Sequence, residues 1–289
     1  MKKINLIIII ILHFHCINCN QRGVLPLLQI DFDKSMSHLK RYQLNYTQKD
    51  PTWIQTKKLY KKYIFNNFEY SNEPKIPKII HQIWLGSKLP HKYKEYQESW
   101  VKKHPDWLYK LWTEKDIENL DLINLNLYKA SKNYGEKSDI ARYEILYQCG
   151  GLYVDTDFEC LMPFDTLHHA CDFYTGCVAA PHVVCFNGLI AAKPNHPILQ
   201  RCINDLAENS KKHKKTLEKT GPGFFTRCVI KEFFNESVER CVLFPAPYFY
   251  PWPWYKRDHE SCKKRYSFVR PESFAIHHWE VSWSKKKIN

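Results

Sequence analysis

The sequence predicts an α/β fold on three observations. Short apolar runs alternate with helix-like stretches from residue 74 onward, the third of these runs ends directly in an acidic pair, and the hydrophobic (44%) and charged (25%) fractions are those of a globular chain. Pro74 and Pro77 bracket the start of the compact part, because proline fixes φ and drives its predecessor toward extended backbone. The run Lys78-Ile79-Ile80-His81-Gln82-Ile83-Trp84, stopped by Gly86, reads as a buried first strand. A helix is expected over 90–103 and an alternating strand over 107–112, after which Thr113-Glu114-Lys115-Asp116 resembles an N-terminal capping signal. The next helix, 138–148, ends at Gly150-Gly151, and a strand over 152–154 runs straight into Asp155. Further strands are expected at 173–176, 188–192 and 242–244, with helices at 196–208 and 226–234. No internal repeat is present.

A chain of 289 residues can bury a sizeable core, and its composition excludes general disorder, collagen-like repeats and a coiled-coil rod. Lys+Arg 43 against Asp+Glu 30 leaves +13, which admits nucleic acid, phosphorylated metabolites or a membrane surface as partners. Seven of the lysines lie in Lys211-Lys212-His213-Lys214-Lys215 and Lys285-Lys286-Lys287. No nucleic-acid-binding signature accompanies them, so they read as a solvated loop and tail, and no nucleic-acid partner is expected. Nine Trp and eighteen Tyr suit stacking on sugars or bases, and equally suit a core.

Residues 1–20 open with Lys2 and Lys3 and continue through the apolar run Ile4 to Leu12, the pattern of a signal peptide or short signal anchor. Membrane association through this N-terminus is the expectation that follows. Residues 21–73 read as a stem with one helix around Leu59, Tyr63, Ile64 and Phe68, and residues 74–289 as the catalytic-sized domain. The sequons Asn45-Tyr46-Thr47 and Asn235-Glu236-Ser237 fit a secretory route. Of eleven Cys, nine lie beyond the first segment, an odd number that leaves at least one thiol free; the main body has no CxxC pair, which speaks against a zinc ribbon.

Chemistry is densest at Asp155-Thr156-Asp157. Two carboxylates one residue apart leave a strand end on the same side and can share one hard cation that a diphosphate completes, which favours Mn²⁺ or Mg²⁺. On the preceding helix Asp139 and Arg142, three apart, project from one face, and a plain salt bridge is the modest reading of that spacing. Gly150-Gly151 caps the helix and allows backbone to approach a ligand closely.

The joint pattern Lys137-Ser138-Asp139-Ile140-Ala141-Arg142-Tyr143 and Gly150-Gly151-Leu152-Tyr153-Val154-Asp155-Thr156-Asp157 resembles the DXD glycosyltransferases of family 32. The resemblance spans residues 76–283 and implies a GT-A-type nucleotide-diphospho-sugar transferase fold, with a mixed, mostly parallel sheet flanked by helices. It implies a hexosyltransferase, retaining as a property of the family, that uses Mn²⁺ or Mg²⁺, a nucleotide-diphosphate sugar (GDP-mannose or a UDP-sugar) and a glycan or glycolipid acceptor. A Golgi location, or secretion, goes with it. Residue by residue, Trp84 matches a base contact, Asp139 and Arg142 donor-sugar contacts, and Asp155 and Asp157 the ribose, sugar and metal contacts; Tyr153 is taken as a substrate contact, and Asp155, Asp157 and Arg142 as the catalytic residues. Phe274-Ala275-Ile276-His277-His278-Trp279 with Ser282-Trp283 is similar to the closing motif, in which a His nears the metal and diphosphate; His277 is preferred over His278, and Trp283 is taken as a substrate contact. Asn187-Gly188-Leu189-Ile190-Ala191-Ala192, Asn195-His196-Pro197 and Thr220-Gly221-Pro222 match family segments around the acceptor side, where Asn187 could bond a sugar hydroxyl, although Asn187-Gly188 and Gly221-Pro222 are also ordinary turn dipeptides. Pro251-Trp252-Pro253-Trp254 has no counterpart in the family pattern.

Two other readings compete. A haloacid-dehalogenase-type phosphatase also sets Asp-x-Asp after an apolar strand, with the first Asp as nucleophile, but Glu159 stands where that pattern asks for Thr or Val. A non-catalytic glycan or nucleic-acid binder on the same fold is the other.

Overall fold

The computed structural model describes residues 28–39, 49–66, 68–179, 182–235, 239–257 and 260–280. The N-terminal segment 1–20, the sequon at Asn45, Ser237, Trp283 and the lysine tail lie outside them. Along the chain come α1 (Phe32–Met36), α2 (Pro51–Tyr60), β1 (Ile79–Ile83), α3 (Lys94–Lys103), β2 (Leu108–Trp112), α4 (Glu114–Glu118), α5 (Leu125–Ala130), α6 (Tyr134–Cys149), β3 (Gly151–Val154) and β4 (Phe158–Cys160). Then follow α7 (Asp165–Ala170), β5 (Phe173–Ala179), β6 (Val183–Ala192), α8 (Pro197–Lys212), α9 (Thr216–Lys219), α10 (Pro222–Phe233), β7 (Cys241–Pro245) and β8 (Ala275–His277).

The main sheet has the order β2-β1-β3-β6-β5-β7. β1 pairs parallel with β2 and β3, β5 pairs parallel with β7, and β6 alone runs against both of its neighbours, β3 and β5. The chain moves outward from β1 to β2 and then crosses back to place β3 on the other side of β1. That reversal opens a crevice at the carboxyl ends of β1 and β3, where open α/β sheets bind ligands. Leu152, Tyr153 and Val154 are buried on both faces, which is why this strand reads as a continuous apolar run rather than an alternating one.

A second, two-stranded sheet pairs β4 with β8 in antiparallel register, Phe158 opposite His277. α3 anchors it: the Trp100 indole N–H donates to the Phe158 carbonyl at 2.9 Å, and the Ser99 hydroxyl accepts the Cys160 N–H at 2.9 Å. The capping signal at Thr113 is a true capping box closed by Asp116. α6 is longer than its sequence pattern, because the Asn133 side chain caps it by accepting from the N–H groups of Gly135 (2.7 Å) and Glu136 (3.3 Å).

Two turn readings need correction. Gly188 lies inside β6, which begins at Val183 rather than at residue 188, and Gly221-Pro222 opens α10 as N-cap and first residue. In both places pairing or helix formation overrides the local preference of the dipeptide. α1 and α2 bury Phe32, Met36, Trp53 and Tyr60 in the same hydrophobic core as the sheet and pack on β7. The Tyr60 hydroxyl lies 2.8 Å from that of Tyr248, and Ser35 donates to Glu272 at 2.9 Å. Among the described residues no helix is long and apolar enough to cross a membrane.

Candidate active site

The crevice is a cavity of about 440 Å³ lined by Trp84, Asp139, Arg142, Tyr153, Asp155, Asp157, Asn187 and His277, among others. Residues far apart in sequence meet here for identifiable reasons. The β4–β8 register sets His277 opposite Phe158, so the imidazole reaches back to Asp157, with Nε2 3.0 Å from Oδ1. The Glu280 N–H donates to the other Asp157 oxygen at 2.7 Å, and the His278 N–H to the Asp157 carbonyl at 2.9 Å. His277 stacks on Phe158 with ring centres 4.4 Å apart. His278 faces elsewhere: it stacks on Tyr96 at 4.3 Å, and its Nε2 lies 3.2 Å from Glu159.

Asp155 is held by β6 and α6. Its N–H donates to the Gly188 carbonyl at 2.8 Å, its Oδ1 accepts the Tyr153 hydroxyl at 2.7 Å, and Arg142 Nη1 lies 3.2 Å from the same oxygen. A Cβ at Gly188 would stand 2.7 Å from Asp155 Oδ2, so glycine is needed for that oxygen to keep its place. A carboxylate so restrained suits a fixed ligand better than an attacking nucleophile. Ligand atoms of Asp155, Asp157 and His277 all lie within 4.8 Å of one another, and Asp155 keeps 30% of its side chain open to the cavity. Two carboxylates and an imidazole fit a hard-to-borderline divalent cation such as Mn²⁺.

Beside this corner lies a second buried cluster. Arg142 Nη2 is 3.2 Å from Asp139 Oδ1, Nη1 donates to the Asn187 carbonyl at 2.6 Å, and the guanidinium lies over the Tyr153 ring at 4.4 Å. Asp139 also accepts from the Asn187 amide at 2.8 Å and the Thr220 hydroxyl at 2.8 Å. Burial pushes the Asp139 carboxyl up to about 6, against the pull of Arg142 and its hydrogen bonds. Burial likewise raises Asp155. Asp157 also suffers burial, but the facing His277 and the Glu280 N–H outweigh it and hold the carboxyl below its usual value.

Trp84 is half-buried at the end of β1, its ring centre 5.0 Å from that of Tyr93. His81 behaves differently: it accepts from Trp112 at Nδ1 (3.0 Å) and meets the Gly150 carbonyl at Nε2 (2.9 Å), and burial lowers it to about 4. It is a neutral structural histidine. Trp279 closes the cavity edge with a φ of 55°, pinned by donation from its indole to the Trp252 carbonyl at 2.7 Å. That bond gives the unmatched Pro251-Trp252-Pro253-Trp254 stretch a place beside the site.

The Glu280 N–H and the close packing of Gly188 are backbone features with no side-chain signal in the sequence, whereas Thr220 lies in the stretch Thr220-Gly221-Pro222 that matches the family pattern.

The β1/β3 reversal with an acidic pair at its mouth defines a GT-A-type fold, and the solved PaToxG glycosyltransferase matches it with TM-score 0.51 at 22% identity, over 67% of this chain and 80% of that one. Residues 90–174 match the family described as glycosyltransferase sugar-binding region containing DXD motif, and residues 191–289 the alpha 1,4-glycosyltransferase conserved region. Each match covers less than half of the chain, and both regions are similar to glycosyltransferase regions. It is 33% identical to inositol phosphoceramide mannosyltransferase 2 of Schizosaccharomyces pombe over 150 residues, 50% of this chain and 42% of that protein. It is 28% identical to mannosyl phosphorylinositol ceramide synthase CSH1 of Saccharomyces cerevisiae over 198 residues, 64% of this chain and 52% of that protein. The chain thus spans about half the length of these curated relatives or less.

Proposed function

We propose that the protein is a metal-dependent, retaining hexosyltransferase that moves a sugar from a nucleotide-diphosphate sugar to a glycan or glycolipid acceptor in the secretory pathway. The observation that carries this is the Asp155, Asp157 and His277 cluster, within 4.8 Å, on the wall of the cavity that Trp84, Asp139 and Arg142 also line. Asp155, Asp157 and His277 are the residues that would hold Mn²⁺, and the cation would supply Lewis-acid neutralisation of charge on the leaving diphosphate. Trp84 offers its ring face to the base at the mouth. Arg142, fixed between Asp139 and Asp155, keeps a positive charge where donor phosphate and sugar meet, and Asp139 and Asn187 offer hydrogen bonds to sugar hydroxyls. The names of the yeast relatives support mannose, hence GDP-mannose, and an inositol phosphoceramide-like acceptor. Residues 1–20 would bring the chain to the membrane as signal or anchor, with 21–73 leading into a catalytic domain at 74–289.

The test is to incubate the protein with Mn²⁺ and a panel of UDP- and GDP-sugars and to measure which nucleotide is released. Release from one donor class, abolished by EDTA, is expected. Undiminished release in EDTA would sink the metal assignment.

A further inference from the structure

The short segment after α8 is bolted to the donor side of the cavity. Thr216 donates to Glu136 at 3.1 Å, and Lys219 Nζ donates to the other Glu136 oxygen at 2.9 Å. Thr220 donates to Asp139, and its carbonyl accepts the Tyr143 hydroxyl at 2.7 Å. From behind, the Asn209 amide donates to the carbonyls of Glu218 (3.0 Å) and Lys219 (2.7 Å), and Arg227 pairs with Glu218 at 2.6 Å. Gly221 closes the turn so tightly that a Cβ there would lie 3.1 Å from Leu217 Cα.

Among the residues this segment brings to the cavity, Thr216, Leu217, Gly221 and Pro222, the large exposed apolar side chain is Leu217. Leu217 lines the cavity, yet 53% of it is exposed. A rigidly held, half-exposed leucine at a cavity mouth leaves apolar area in water that a ligand can cover. In the reading proposed above the donor would be met by Asp139, Arg142, Asn187 and Asp157, all buried, and by the partly open Asp155. A second substrate has to arrive from solvent, so it meets the exposed part of the wall.

We propose that Leu217 is a specificity-determining residue of the acceptor side, packing against a C–H-rich face of the incoming acceptor, with Glu136 as the positioning residue that holds it through Thr216 and Lys219. This rests on the transfer reaction proposed above. The C–H-rich face belongs either to the acceptor sugar or to an alkyl tail attached to it.

The experiment measures nucleotide release from the preferred donor with the full chain, alone and with methyl or octyl α-mannoside as acceptor. Leu217→Ala is expected to raise the acceptor KM about tenfold, while the donor KM from acceptor-free release moves less than twofold. Glu136→Gln is expected to shift the same constant in the same direction, because it weakens the anchor of Leu217. A rise for both glycosides assigns the face to the sugar, and a rise for the octyl glycoside alone assigns it to the tail. Unchanged acceptor KM in Leu217→Ala overturns the proposal, as does a donor KM that rises in step or a wild-type chain that neither glycoside accelerates. Absence of nucleotide release from every donor overturns the transfer reading itself, and the acceptor role with it.

Discussion

The cavity has two buried acidic regions that share Arg142 and differ in how their charge is balanced. Asp139 is answered from within the protein by Arg142, the Asn187 amide and the Thr220 hydroxyl. The Asp155–Asp157 corner sets two carboxylates side by side against the same guanidinium, the Tyr153 hydroxyl, one imidazole and one backbone N–H. A satisfied acid orients its neighbours. A corner with an excess of carboxylate oxygen is a place for a cation, because like charges this close raise each other's cost of ionisation until a positive charge joins them.

That contrast breaks most visibly at Asp157. Asp157→Ala should lower nucleotide release by about a thousandfold or more, since the proposed cation would contribute several kcal/mol to the transition state. Mn²⁺ should raise the melting temperature of the wild type in a thermal-shift assay and leave that of Asp157→Ala unmoved. An equal rise in both would place the ion elsewhere.

Next in size is Gly188→Ala. The added methyl stands 2.7 Å from Asp155 Oδ2, so it should displace that oxygen and reduce release by about a hundredfold, with circular dichroism unchanged.

Asp139 sharpens the comparison through pH. Its folded value of about 6 lies above the ordinary 3.8, so its proton favours the native state: this contribution is whole below pH 3.8 and lost as pH rises through about 6. Ionised, Asp139 orients Arg142 and Asn187, so kcat/KM should fall as pH drops below about 6. In Asp139→Asn that acid limb should vanish, and the plateau should fall by about tenfold. An unchanged limb would assign the titration to another group.

The smallest effect belongs far from the cavity. Tyr60→Phe removes a hydroxyl 2.8 Å from both the Tyr248 hydroxyl and the Ile30 carbonyl, and should cost about 1 kcal/mol in chemical denaturation without altering donor KM.

Much of this molecule is readable from residue order. The α/β alternation, the strand leading into Asp155, the helix bearing Asp139 and Arg142, and the capping box at Thr113 all arise from contacts a few residues apart, so local pattern carries them. Trp84, Asp139, Arg142, Tyr153, Asp155, Asp157, Asn187 and His277 were each nameable as candidates, and the fold brings all of them to one cavity wall; what they do there is the subject of the tests above.

Tertiary structure alone decided the rest. His277 faces Asp157 while His278 turns to Glu159, a choice made by the β4–β8 register, since neighbouring strand residues point to opposite faces. β6 reaches back to Val183 because β5 pairs with it over Val183–Cys185, and the segment bearing Leu217 is tied to Glu136, some eighty positions earlier in the chain. Such pairings depend on distances between segments, and local residue preferences contain no measure of those distances.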